Sequence, residues 1–179
     1  MIQASRENIV TLEVVNREEL TKFKKDLQEA FAVAVVETFG SKLDKPIPSD
    51  EDLEKSFNAD GAVVYHIFSN GKKTGGVVLI INEITQHNSL DFFFISVNAH
   101  SRGIGLKAWK AIEEKYIETK VWETHTPYFE KRNIHFYVNK CGFQIVEYFN
   151  KHHSDPHASS DEDFPGGEDF FRFEKVMKQ

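Results

Sequence analysis

Arg102, Gly103 and Gly105 stand between an aromatic run, Phe92 to Ile95, and a stretch with Trp109, Ile112 and Tyr116 at three- to four-residue spacing. An apolar strand, a glycine turn and an amphipathic helix, in that order, make a seat for a phosphate. Free N–H groups at the helix start and the positive end of its dipole both favour an anion. Glycine lets the backbone approach such a ligand where a Cβ would collide with it. Residues 100–107 are therefore the expected site of a phosphate-bearing cofactor. The segment HSRGIGLKA fits neither of two familiar nucleotide patterns. The P-loop needs four residues between its glycines and then Gly-Lys-Ser/Thr, and the dinucleotide fingerprint needs a third glycine where position 108 is alanine.

Other residues of chemical type have plainer readings. His152, His153, Asp155 and His157 are metal-ligand types, but their loop offers no rigid fourth ligand, and no metal is expected. Cys141 has no base fixed beside it in sequence and reads as a buried thiol rather than a nucleophile. His135 reads as a packed or surface histidine, and Glu113-Glu114 as a solvated helix face. Trp109 and Tyr116 read as core.

The elements that must position the turn follow from local signals. Ile9 to Val15 is a short β-like run. Asn16 caps a helix with Glu19 three residues later, and Leu20, Phe23, Leu27, Phe31 and Val35 form its buried stripe up to Gly40. Ser49 caps a second short helix carrying Leu53 and Phe57. Asn70-Gly71 joins two apolar β runs, 62–68 and 76–81, into a hairpin. Downstream of the glycine turn lie a strand with Val121 and Trp122, a short helix ending at Gly142, and two aromatic strands, 143–149 and 170–177. The long polar connection 151–168 between those strands is of a kind that is usually functional or mobile. The order β-α-α-β-β-β-α-β-α-β-β describes a single-domain α/β fold over 1–179, a mixed, mainly antiparallel sheet flanked by helices.

Composition excludes several classes. The 179 residues are 40% hydrophobic with 16 phenylalanines, enough for one core and unlike a disordered chain. A net charge of −6 argues against general nucleic-acid binding. A lone cysteine suits a reducing compartment, and no run reaches membrane-spanning length, so a cytoplasmic protein without a membrane or nucleic-acid partner is expected.

Two blocks, HSRGIGLKAW and NKCGF, in this order and spacing resemble the GNAT superfamily of acyl-CoA-dependent N-acetyltransferases. The well-matched region is 90–149. The resemblance implies acetyl-CoA as donor and a primary amine of a small molecule or peptide as acceptor, joined in a ternary complex. It leaves room for a homodimer. It implies a cofactor site at His100, Arg102, Gly103, Ile104, Gly105 and Leu106, with Asn133 on the later helix and an N–H donor for the thioester oxygen among Ile95 to Val97. His100 stands where the family loop usually starts with Gln or Arg. The family's tyrosine lies four residues before the helix-ending glycine; that position is Val138 here, and Tyr137 is one residue earlier. Tyr137 can take its part only if the helix is displaced or bulged there.

Acetyl transfer to an amine needs an uncharged nitrogen, so a base must take a proton. Glu83, Asp91, Glu123 and His125 are the candidates. Glu123 ranks first and His125 second, because both sit on one face of the strand expected to border the cofactor strand. Carboxylates at Glu83, Asp91 and Glu123 would favour a cationic acceptor. The alternatives are an acyl-CoA-binding module without catalysis and a metal-binding or interaction protein built on the histidine loop.

Overall fold

A computed structural model describes residues 8–41, 43–100, 103–158 and 167–178. The chain runs β1 (Val10–Val14), α1 (Leu20–Phe39), α2 (Asp50–Phe57), β2 (Ala62–Ser69), β3 (Lys72–Ile80), β4 (His87–Ile95), α3 (Ile104–Lys115), β5 (Val121–Pro127), α4 (Lys131–His135), β6 (Gln144–Phe149) and β7 (Phe170–Val176). This is the order read from the sequence. The strands form one seven-stranded sheet, β1-β2-β3-β4-β5-β7-β6, antiparallel at every step except β4–β5.

Local chemistry sets the ends of the elements. The Glu19 carboxylate accepts from the Asn16 N–H at 3.4 Å, and a short 3₁₀ turn, Arg17–Glu19, leads into α1. Gly40, left-handed at φ 76°, ends that helix. Ser49 Oγ accepts from the Asp52 N–H at 3.1 Å and starts α2. Asn70 and Gly71 take φ of 51° and 77°, the two positive values that a tight hairpin of this twist requires.

Each face of the sheet has its own core. Phe23 and Leu27 of α1 and Leu53 of α2 pack on Val64, Val78 and Phe94. On the opposite face Trp109 and Ile112 of α3 pack on Tyr65, Ile67, Val77, Leu79, Trp122 and Phe173. Trp109 is 1% exposed and meets Trp122 edge-on at 5.4 Å, so it is core as expected. The alternation of β2 and β3 feeds both cores at once. Sequence order did not foretell that β7 would enter between β5 and β6. It does so because β5 needs a partner on its outer edge, and β7 pairs with it along its whole length. Among the described residues no helix is long and apolar enough to cross a membrane.

Candidate active site

β5 runs beside β4 for only three residues, His87, Asn88 and Ser89 pairing with Val121, Trp122 and Glu123. On its other edge β4 stays paired with β3 as far as Ile95. Past Ser89 the parallel strands part. Thr124 Oγ1 donates to the Leu90 carbonyl at 2.8 Å and closes the vertex of the gap. The bulge in β4 falls at Asp91, since Leu79 opposes Leu90 and Val78 opposes Phe92. Further along, the Ser96 N–H donates to the Thr74 carbonyl at 2.7 Å. By the alternation of an antiparallel pair, the N–H and C=O of Ile95 then point away from β3, into the gap.

The glycine turn faces the mouth of this gap. Gly103 caps α3 in a left-handed conformation, φ 69°, and no atom of the described residues lies within 4 Å of where its Cβ would be. A Cβ on Gly105 would sit 3.4 Å from the Phe136 ring and 3.7 Å from the Ile95 side chain. Ile104 is buried beneath the turn, and Leu106 packs on the α3 core. Val97 is half-exposed in the short turn Val97–Ala99 that follows β4. His100 Nε2–H donates to the Ile95 carbonyl at 2.7 Å, and its Nδ1 accepts from the Arg132 guanidinium at 3.2 Å. That carbonyl can only accept, which fixes the tautomer. Arg102 lies outside the described residues.

Beyond the gap, Asn133 sits half-buried in α4, where its carbonyl accepts from the Phe136 N–H. The next turn, Phe136–Cys141, is π-helical, and the N–H groups of Gly142 and Phe143 both return to the Tyr137 carbonyl. A π turn absorbs one residue more than an α turn. The bulge on which the role of Tyr137 depended is therefore present. Tyr137 is 5% exposed, and its hydroxyl interacts with Thr124 at the vertex. Burial, then Cys141, raises its pKa above the ordinary tyrosine value, so the hydroxyl keeps its proton. Phe136 stacks on Phe93 of β4 at 5.6 Å and makes that wall apolar. Burial pushes the Cys141 thiol up to about 12, which leaves almost no thiolate at neutral pH.

The four candidate bases fall at three places, with only Glu123 and His125 side by side. Glu83 lies in the turn before β4, on the closed side of the vertex, lining a cavity of about 280 Å³ with Gln86, Lys115 and Glu118. The three carboxylates expected at one cleft thus do not meet there. Asp91 accepts from Ser56 Oγ of α2 at 2.6 Å and from Ser89 Oγ at 2.5 Å. Glu123 stands level with Ser89, where the strands are still paired, and Arg172 of β7 donates to it at 3.1 Å. His125, two residues nearer the open end, holds Nδ1 4.0 Å from Glu123 and stacks on Phe149. Arg172 also binds Glu147 at 2.9 Å and Glu174 at 2.5 Å. The His153 imidazole and Arg172 hold the Glu147 carboxyl below its ordinary pKa. Among the described residues no cluster of three or more His, Cys, Asp or Glu is arranged for a metal.

Sequence reasoning passed over Glu130. It opens α4, is 6% exposed, and burial pushes its carboxyl up to about 7, against Arg132 and with help from Glu37. In sequence it belongs to a charged run, Glu130-Lys131-Arg132, which reads as a solvated face.

Comparison with known proteins agrees with this geometry. The profile of the acetyltransferase (GNAT) family matches residues 24–143. The uncharacterized protein YrkN of Bacillus subtilis (strain 168) is 57% identical over 183 residues, covering 99% of each chain. A Bacillus subtilis acetyltransferase in complex with CoA superposes with a TM-score of 0.63 at 17% identity, over 96% of this chain and 100% of that one. A GNAT family acetyltransferase from Elizabethkingia anophelis with acetyl-CoA bound gives 0.64 at 15% identity, over 94% and 98%. The chain belongs to the GNAT acetyltransferase family.

Proposed function

We propose that this protein is an N-acetyltransferase that moves the acetyl group of acetyl-CoA to a primary amine of a small molecule or peptide, by direct attack in a ternary complex. The observation that carries the reading is the parting of β4 from β5 beside the N-terminus of α3. A free strand edge can hydrogen-bond an extended pantetheine arm, and the helix start with its glycine turn can take the pyrophosphate. The Ile95 N–H is the donor for the oxygen that gains charge as the tetrahedral intermediate forms. Tyr137, protonated and buried at the vertex, supplies a proton to the leaving thiolate. His100, Gly103, Ile104, Gly105, Leu106 and Asn133 surround the donor. Glu123 and His125, with Arg172, Glu147 and Glu174, offer the acceptor a shelf on the face of the sheet that carries α1 and α2. Three carboxylates against one guanidinium favour a cationic acceptor.

Calorimetry with acetyl-CoA, followed by thiol release across a panel of amines, tests the reading. Binding together with release on a primary amine supports it. Binding without release on any amine would favour a binding module.

A further inference from the structure

We propose that Glu130 is the proton acceptor for the amine, a role that rests on the acetyltransferase reading above. Its position carries the argument. Glu130 lies three residues past the end of β5, where the chain leaves the sheet and turns into α4, at the open end of the gap. It is the one buried carboxylic acid among the described residues. Arg132, two residues on, reaches Glu37 of α1 at 3.7 Å and His100 at 3.2 Å, and His100 holds the Ile95 carbonyl. This chain of contacts ties the start of α4 to the end of β4. The charged and titratable groups acting on Glu130 are Arg132 of its own helix, Glu37 of α1 and Tyr137 of the π turn.

The rival carboxylates are committed elsewhere. Glu123 sits below the vertex and accepts from Arg172 through one oxygen, while Asp91 is held by two serine hydroxyls. No described cation forms an ion pair with Glu130. A carboxyl that titrates near 7 is half ionised at neutral pH and takes a proton from an ammonium more readily than an ordinary carboxylate does.

The acceptor arrives as an ammonium, and Glu130 takes one proton to leave the neutral amine. The nitrogen lone pair attacks the thioester carbon, a C–N bond forms, and the carbonyl electrons move to oxygen. Collapse breaks the C–S bond and the thiolate leaves with its electron pair. It takes a proton from Tyr137, which regains one from the nitrogen of the new amide. Glu130 then returns its proton to water.

The test is the pH dependence of kcat at saturating acetyl-CoA, for the wild type, Glu130→Gln, Glu130→Asp and Glu123→Gln, with an amine found to release thiol. In the wild type an acidic limb with a midpoint close to 7 is expected. Glu130→Gln should lower kcat at least about 100-fold and abolish the limb, with acetyl-CoA affinity kept within about twofold. Glu130→Asp and Glu123→Gln should both keep the limb. Infrared titration of the unliganded wild type should show a carboxyl with a midpoint near 7, absent from Glu130→Gln. A folded Glu130→Gln with the wild-type limb and kcat within threefold would overturn the assignment while leaving the acetyltransferase reading intact. A wild type that binds acetyl-CoA and acetylates no amine would overturn both.

Discussion

The two neighbours of β4 meet it in opposite ways. β3 follows it to Ile95, whereas β5 leaves it after three residues. On the β3 side, glycine serves the protein's own packing: a Cβ on Gly75 would lie 2.1 Å from the Phe94 carbonyl oxygen. On the β5 side, a Cβ on Gly103 would meet no atom of the described residues within 4 Å, and one on Gly105 would make contacts of 3.4 Å or more. The same residue type closes one edge of the strand and leaves the other open to a ligand. Gly75→Ala should therefore force the strands apart and destabilise the protein by about 3 kcal/mol or more. Chemical denaturation measures this, and a loss below about 1 kcal/mol would show that β3 and β4 yield as easily as β4 and β5.

The open side also holds a destabilising charge. Glu130 is raised from 4.5 to about 7 in the folded protein. Burial thus disfavours its ionised form, so the folded state binds more protons than the unfolded one between those values. Stability on this account is full below about 4.5, falls as pH rises to about 7, and is flat above. Relative to the wild type, Glu130→Gln should be more stable by about 3 kcal/mol at pH 8 and almost unchanged at pH 4.5. Urea melts at the two pH values check it. An equal difference at both would mean that the carboxyl titrates normally.

Tyr137 marks the limit of what the sequence made legible. Caps, hairpin and stripes are local, and Asn16, Ser49, Gly40 and Asn70-Gly71 could be read from their neighbours alone. On an α-helical ruler the spacing of Tyr137 to Gly142 puts the hydroxyl about 100° out of place. The π turn removes that mismatch, and no local residue type announces a π turn. The insertion of β7, the pairing of Glu123 with Arg172 and the burial of Glu130 depend on contacts between distant segments, and for that reason stayed hidden. Tyr137→Phe should lower kcat about 100-fold, or about 2.7 kcal/mol of barrier, with acetyl-CoA affinity within about twofold. If kcat holds while Tm drops, the hydroxyl serves packing against Thr124 and the thiolate takes its proton from water.

Gly103→Asp separates fold from ligand at the turn itself. The left-handed backbone costs a side chain about 1 kcal/mol, and an acidic group at a helix start recovers part of that. Stability should change little. The carboxylate would stand where the pyrophosphate is expected, so acetyl-CoA should bind at least about tenfold more weakly, or about 1.4 kcal/mol. Gly105→Asp is expected to do the same. Unchanged affinity in the folded variants would remove the phosphate from this turn.

The smallest effect concerns the acceptor. The shelf around Arg172 gathers Glu123, Glu147 and Glu174, and His125 and His153 add positive charge only when protonated. Three carboxylates stand against one guanidinium on this shelf, and such an excess would draw a cation toward it. These groups are partly exposed, so their field is screened within about 10 Å at 0.1 M salt. The attraction must then appear as a modest, salt-dependent gain in encounter rather than as a deep binding well. For polyamines or lysine-like amines, kcat/KM should fall about threefold between 0.05 and 0.5 M salt, and more gently in Glu147→Gln. Glutamate and glucosamine phosphate, which carry negative charge to the same shelf, should release thiol more slowly and improve as salt rises. A preference for the anionic acceptors, or rates indifferent to salt, would mean that the amine reaches the gap by a route these carboxylates do not line.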